Sequence, residues 1–203
     1  MRIYLLLLLS GLFCGPALAA EPPTLLVVGD SLSAAFGFDA EKGWPRLLQK
    51  RLTETGRPYR VINASISGDT TQGGLTRLPG ALARHKPEIV IIELGANDGL
   101  RGINLAKIRD NLIRMTILCQ QQGARVLLLG MHLPPNYGPG YTRRFHAVYQ
   151  EVATHTGSAI TPFFLEGIAD NMTLIQADGL HPTAEAQKSI LDNLWPQLLP
   201  LLK

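Results

Sequence analysis

Two cysteines, Cys14 and Cys119, are all that this 203-residue chain carries. It has neither a cysteine cluster nor a His-Glu-x-x-His stretch, so the sequence offers no metal-ligand set and no metal is expected. The Gly-x-Gly-x-x-Gly fingerprint is missing after the first apolar run, which argues against dinucleotide binding. The Gly-x-Ser-x-Gly elbow of α/β-hydrolases is missing as well. Basic residues are scattered (Lys50-Arg51, Arg57, Arg60, Arg77, Arg84, Arg101, Arg143-Arg144), and the formal net charge is only +3. Without a basic run interleaved with aromatics, nucleic acid is not an expected partner. Linkers, low-complexity tracts and repeats are also lacking, so one domain is expected.

A long hydrophobic run is absent too. The apolar stretch at the start, Ile3 to Phe13, is about half of the ~20 residues that a spanning helix needs. Met1-Arg2 precedes it, Gly15-Pro16 breaks it, and Ala17-Leu18-Ala19 fits the small-x-small pattern of a cleavage site. Residues 1–19 therefore read as a secretory signal peptide cut after residue 19 or 20, not as a stable membrane anchor. Cys14 does not suggest lipidation, because Phe13 before it is too bulky. The expected mature chain, residues 20–203, is exported to the periplasm or secreted. It keeps one cysteine, so it cannot form an internal disulfide. Leu105, Ile108, Leu112, Met115 and Cys119 follow helical steps of three and four, which makes Cys119 a buried core thiol and not a nucleophile.

Five apolar runs follow: Thr24–Val28, Tyr59–Ala64, Glu88–Leu94, Arg125–Met131 and Ala159–Phe164. Their near-continuous Val, Ile and Leu suit strands buried on both faces of a parallel sheet. Amphipathic stripes lie between and after them: Leu75, Leu78 and Leu82; Leu105 to Cys119, closed by Gly123; Phe145, Val148 and Val152; and Ile190, Leu191, Leu194 and Leu198. The pattern predicts an α/β fold, a flavodoxin-like doubly wound sheet of about five parallel strands flanked by helices. Ligands in such folds bind at the edge formed by the C-terminal ends of the strands.

Polar or glycine clusters follow four of these runs. They are Gly29-Asp30-Ser31-Leu32-Ser33, Ser65-Ile66-Ser67-Gly68-Asp69, Gly95-Ala96-Asn97-Asp98 and, ahead of the last helix, Asp178-Gly179-Leu180-His181-Pro182. All four would meet on one rim. Ser31, where strand is expected to give way to helix, is the candidate nucleophile. His181 can take and return its proton. Asp178, three positions earlier, can fix the imidazole tautomer. Pro182-Thr183 reads as the start of the final helix, a stiff support for His181. The N–H groups of Ser31 and Gly68 and the Asn97 side-chain amide supply three donors for an oxyanion. Asp30 reads as a turn or hydrogen-bonding residue beside the nucleophile, and His85, His132, His146 and His155 as structural or solvated.

The four blocks together resemble the SGNH hydrolases, the GDSL lipase and esterase superfamily, whose serine, glycine, asparagine and histidine correspond to Ser31, Gly68, Asn97 and His181. Longer stretches, Leu25 to Ser33, Asn63 to Thr71, Glu93 to Gly102 and Leu133 to Gly138, are similar to its small periplasmic thioesterases, lysophospholipases and arylesterases. Ala96 departs from the Gly often found there. The resemblance implies cofactor-free hydrolysis of small-molecule acyl esters or thioesters by a monomer, through an acyl-enzyme on Ser31. A carbohydrate deacetylase and a non-catalytic binding domain are the alternatives, although a degenerate binder usually lacks one member of the set. The acyl chain is expected between the segments 98–104 and 133–141, both read as loops, with Leu100, Leu133 and Tyr137 as walls.

Overall fold

The computed structural model describes residues 21–203; the signal-peptide reading of residues 1–19 lies outside them. Five strands form one parallel sheet: β1 (Thr24–Gly29), β2 (Arg60–Asn63), β3 (Ile89–Glu93), β4 (Arg125–Leu129) and β5 (Ala159–Thr161). Their order across the sheet is β2-β1-β3-β4-β5. The order reverses at β1, so a crevice opens beside the C-terminal end of that strand. In register, Leu26 sits between Ile62 and Val90. Every residue of β1 and β3 is buried, whereas β2 and β5, at the edges, are short and only partly covered. Burial on both faces explains why the inner strands read as unbroken apolar runs.

Six helices cover the sheet: α1 (Trp44–Glu54), α2 (Thr71–His85), α3 (Ala96–Leu100), α4 (Leu105–Gln121), α5 (Pro139–Thr156) and α6 (Gln187–Leu198). α1 packs on α6, while α2, α4 and α5 pack side by side. Local chemistry starts and stops them. The Thr70 hydroxyl caps α2 by accepting from the Gly73 N–H, Asn104 caps α4, and Gly157 ends α5 with φ 66°. The Leu105–Cys119 stripe is buried from Ile108 onward, and Cys119 has no exposed surface. Burial pushes the Cys119 thiol up to about 12, which leaves it inert.

The structure corrects three local expectations and adds one helix. Residues 31–37 are consecutive turns, not the start of a helix. α1 has no counterpart among the stripes, although its buried Trp44, Leu48 and Leu52 follow helical steps of four. The segment 98–104 is partly helical: α3 runs to Leu100, and only the remainder is turn or coil. The final helix begins at Gln187, not at Pro182. Pro182 instead forms an antiparallel bridge with Ile175, and the Thr183 N–H donates to the Leu174 carbonyl at 2.8 Å. Extended pairing across a short hairpin takes up the backbone that a helix start would need.

Candidate active site

The sheet edge assembles the four clusters. Ser31 lies two residues beyond β1, in a turn stabilised by the Ala34 N–H donating to the Asp30 carbonyl at 3.0 Å. His181 and Asp178 lie in the hairpin between β5 and α6. The His181 Nε2 is 2.9 Å from the Ser31 Oγ, and its Nδ1 is 2.6 Å from the Asp178 Oδ2. With the ring proton on Nδ1 and donated to Asp178, Nε2 is left to accept from the serine hydroxyl. The other Asp178 oxygen accepts from the N–H groups of Leu180 and His181 at 2.9 and 3.0 Å. Those donors, the His181 N–H first, hold the Asp178 carboxyl down to about 2, so it stays ionised beside the imidazole. The Phe36 ring lies over His181, with centroids 4.3 Å apart.

The three donors expected for an oxyanion follow three different strand ends. Neither the Ser31 N–H nor the Gly68 N–H donates to a backbone carbonyl of the described residues. Gly68 has φ 79°, a conformation that favours glycine, and its carbonyl accepts from the Arg101 guanidinium at 3.1 Å. The Asn97 amide sits at the start of α3, where one of its N–H groups donates to the Asp30 Oδ2 at 2.9 Å. Its other N–H is available to a ligand.

Beneath these groups lies a buried polar layer. Asp30 and Glu93 both have no exposed surface. The Asp30 and Ser33 donors reach the Glu93 Oε2 at 3.1 and 2.6 Å, and the Leu32 N–H reaches the Asp30 Oδ1 at 3.0 Å. Burial pushes the Asp30 carboxyl up to about 6 and Glu93 well above the carboxylate range. Arg77 on α2 ties the loops together, donating to the Asp69 carboxylate at 2.7 Å and to the Gly29 and Ala64 carbonyls. Gly29 cannot carry a side chain here: a Cβ would sit 2.6 Å from the Glu93 Oε2 and 2.8 Å from the Ser33 Oγ.

Ser31, Asn97 and His181 open into a cavity of about 570 Å³. Its walls include Leu100 and Leu133 from the segments expected to hold an acyl chain, and also Met131, Phe163, Leu165 and Ile175. Tyr137 is not in the wall; its hydroxyl donates to the Leu100 carbonyl at 3.1 Å and closes the C-terminal end of α3. His132, read from the sequence as structural or solvated, lines the cavity and stacks on His146 and Phe163, with centroids 3.8 and 4.4 Å away. Burial and the neighbouring His146 hold the His132 imidazole below its usual value. His132, Phe163 and Leu165 follow strands β4 and β5, a position that could have flagged them. Glu93 carried no signal beyond its place at a strand end. A larger depression between α4 and α5, about 900 Å³, is lined by Arg109, Asp110, Arg114 and Glu151. Its lining holds no counterpart of the Ser31–His181–Asp178 arrangement. No group of three or more His, Cys, Asp or Glu is placed to hold a metal among the described residues.

Comparison with known proteins adds three relatives. A model of the GDSL-like lipase/acylhydrolase family matches residues 27–188. The chain is 54% identical to Esterase TesA of Pseudomonas aeruginosa over 97% of its own length and 98% of that protein. It is 41% identical to the thioesterase 1/protease 1/lysophospholipase L1 of Escherichia coli K12, over 91% of this chain and 87% of that one. The crystal structure of the psychrotrophic esterase EstA from Pseudoalteromonas, inhibited by monoethylphosphonate, superposes with a TM-score of 0.83 at 40% identity, covering 87% of this chain and 97% of that one.

Proposed function

The chain belongs to the GDSL-like lipase/acylhydrolase family, and from that membership we propose that Ser31, His181 and Asp178 are its catalytic triad. The protein is an enzyme that hydrolyses ester and thioester bonds. Ser31 attacks the acyl carbonyl as His181 takes its proton. The tetrahedral oxyanion accepts from the Ser31 and Gly68 N–H groups and the free N–H of Asn97. The imidazolium, held by Asp178, returns the proton to the departing alcohol or thiol. Water, activated by the same imidazole, then releases the acid from Ser31. All of these groups belong to the chain itself, and no cofactor enters the scheme.

The observation that carries this reading is the unbroken contact Ser31–His181–Asp178, at 2.9 and 2.6 Å, at the mouth of a largely apolar cavity. Apolar walls suit an acyl chain better than a sugar, which favours acyl-CoA thioesters, aryl esters and lysophospholipids over a carbohydrate ester. Leu100 and Leu133 contact that chain, and Tyr137 supports Leu100 from behind. The leader-like residues 1–19 support export to the periplasm, with residues 20–203 acting there as a monomer. No helix of the described residues is long and apolar enough to cross a membrane.

A fluorophosphonate tests the triad. Mass spectrometry of the labelled mature enzyme should find one adduct, on Ser31, and His181→Ala should abolish labelling. Ser31→Ala should fold normally yet lose about 10⁶-fold in kcat, as when one member of a triad is removed. An adduct on any other serine sinks the assignment.

A further inference from the structure

Glu93 plays no part in the reaction described above, yet it is a carboxyl fully sealed from water close to Ser31. Its Oε2 accepts from the Asp30 N–H and the Ser33 hydroxyl. Its Oε1, equally buried, has no hydrogen-bond partner among the described residues if the group is ionised. The Asp30 side chain lies within hydrogen-bonding reach of the Glu93 side chain. No ion pair among the described residues neutralises either carboxyl. The Arg77 guanidinium, which bonds the Gly29 carbonyl beside Asp30, is committed there and to Asp69 and the Ala64 carbonyl. Two carboxylates in one dry site cannot both hold a charge. The charge belongs on Asp30, which accepts from the Leu32 N–H and the Asn97 amide.

We propose that Glu93 is a protonated positioning residue: it donates its carboxyl proton to Asp30, and the single negative charge of the pair then holds the Asn97 amide with its second N–H turned toward the oxyanion. The inference rests on Asn97 being an oxyanion donor. A proton on Glu93 gives its orphaned oxygen a partner and leaves one charge in the layer instead of two. Burial first, and the Asp30 charge second, favour that protonated form. The titratable and charged groups that face the pair are His181 across the site, Tyr149 on α5 and Arg77 on α2. As pH rises far enough to remove the Glu93 proton, a second charge enters behind Asn97. Repulsion then disturbs Asp30 and the amide it holds, so kcat falls while KM is unmoved.

The test compares Glu93→Gln and Glu93→Ala in the mature enzyme, by pH profiles of p-nitrophenyl ester hydrolysis and by infrared spectroscopy. Glutamine mimics the neutral acid in shape, its oxygen accepting where Oε2 does and its NH2 able to donate where the acid proton would. It should rescue kcat at neutral pH and remove the alkaline decline of the wild type. Alanine should lower kcat by about 10²-fold with little change in KM, as expected when an oxyanion donor is mispositioned. The infrared spectrum should contain the carbonyl stretch of a protonated carboxylic acid at neutral pH, lost in Glu93→Gln and kept in Ser31→Ala. If glutamine costs as much kcat as alanine, or if that band is absent, the proposal falls. Should alanine fail to fold, the glutamine profile and the band still decide. Failure of Ser31 to label would sink the underlying triad reading without touching the band.

Discussion

Asn97 and Asp98 are adjacent, yet they serve different sides of the molecule. Asp98 is buried and accepts from the Thr71 N–H and hydroxyl at 2.8 and 2.6 Å, fixing the first turn of α2. Asn97 faces the cavity and shares its amide with Asp30. The helical geometry of α3 sends two neighbouring side chains in directions far apart. In the proposed role of Asn97 as an oxyanion donor, a neutral substrate carbonyl gains little from it, whereas the developing anion gains much. Asn97→Ala should therefore lower kcat by about 10²–10³-fold and leave KM nearly unchanged. Paired kinetics and thermal melting check this. A large fall in melting temperature with near-normal kcat would make Asn97 a loop pin, leaving only backbone donors for the anion.

At the level of elements, the piece that matters most is the hairpin around Asp178 and His181. It is closed by the Gln176 N–H donating to the His181 carbonyl at 2.7 Å and by the Ile175–Pro182 bridge. The Gln176 side chain then spans to the nucleophile loop, donating to the Phe36 carbonyl at 2.7 Å and to the Pro182 carbonyl at 2.9 Å. This amide ties the hairpin of His181 to the turn of Ser31, from Gln176 to Phe36, across 140 positions of sequence. Gln176→Ala should lower kcat on the order of 10–10²-fold, the scale at which a displacement of about an ångström is felt. Its melting temperature should change little, because the residue is partly exposed and outside the core. Unaltered kcat would show that the bridge alone sets the triad distance.

For the whole molecule, the cavity and the charge balance make separate predictions. An acyl chain lying along Leu100 and Leu165 loses contact when either is shortened, whereas an acetyl group never made that contact. Leu100→Ala and Leu165→Ala should each lower the ratio of long-chain to acetyl ester kcat/KM by on the order of 10-fold. An unchanged ratio in both would move the acyl chain elsewhere. Stability should respond to pH in two windows. Asp178 is held low, so its contribution is complete above the usual carboxylate range, about 4, and is lost as pH falls through about 2. Asp30 and Glu93 are raised, so their contribution is complete below about 4 and falls away as pH rises through about 6 for Asp30, and higher for Glu93. The melting temperature should accordingly be highest in weak acid and decline toward alkaline pH. A melting temperature that climbs steadily to pH 8 would contradict the raised pair.

The sequence alone determined the sheet and named the candidate reacting groups that the sheet edge brings together. Apolar runs buried on both faces are visible because each strand is locally continuous, and Asp178 and His181 are readable as a pair because three residues in one turn bring them together. Ser31, Gly68 and Asn97 were legible as strand-end residues of a parallel sheet, whose topology brings such ends to one edge. The tertiary structure alone decided what surrounds them. Glu93 meets Asp30 across 63 positions, and Gln176 meets Phe36 across 140. His132 reaches the cavity wall through its stack with His146 and Phe163. Even Pro182, which reads locally as the start of a helix, pairs with Ile175 instead. Local pattern records propensity and burial, but hydrogen bonds between distant segments depend on how the loops pack, and no single segment of the sequence carries that information.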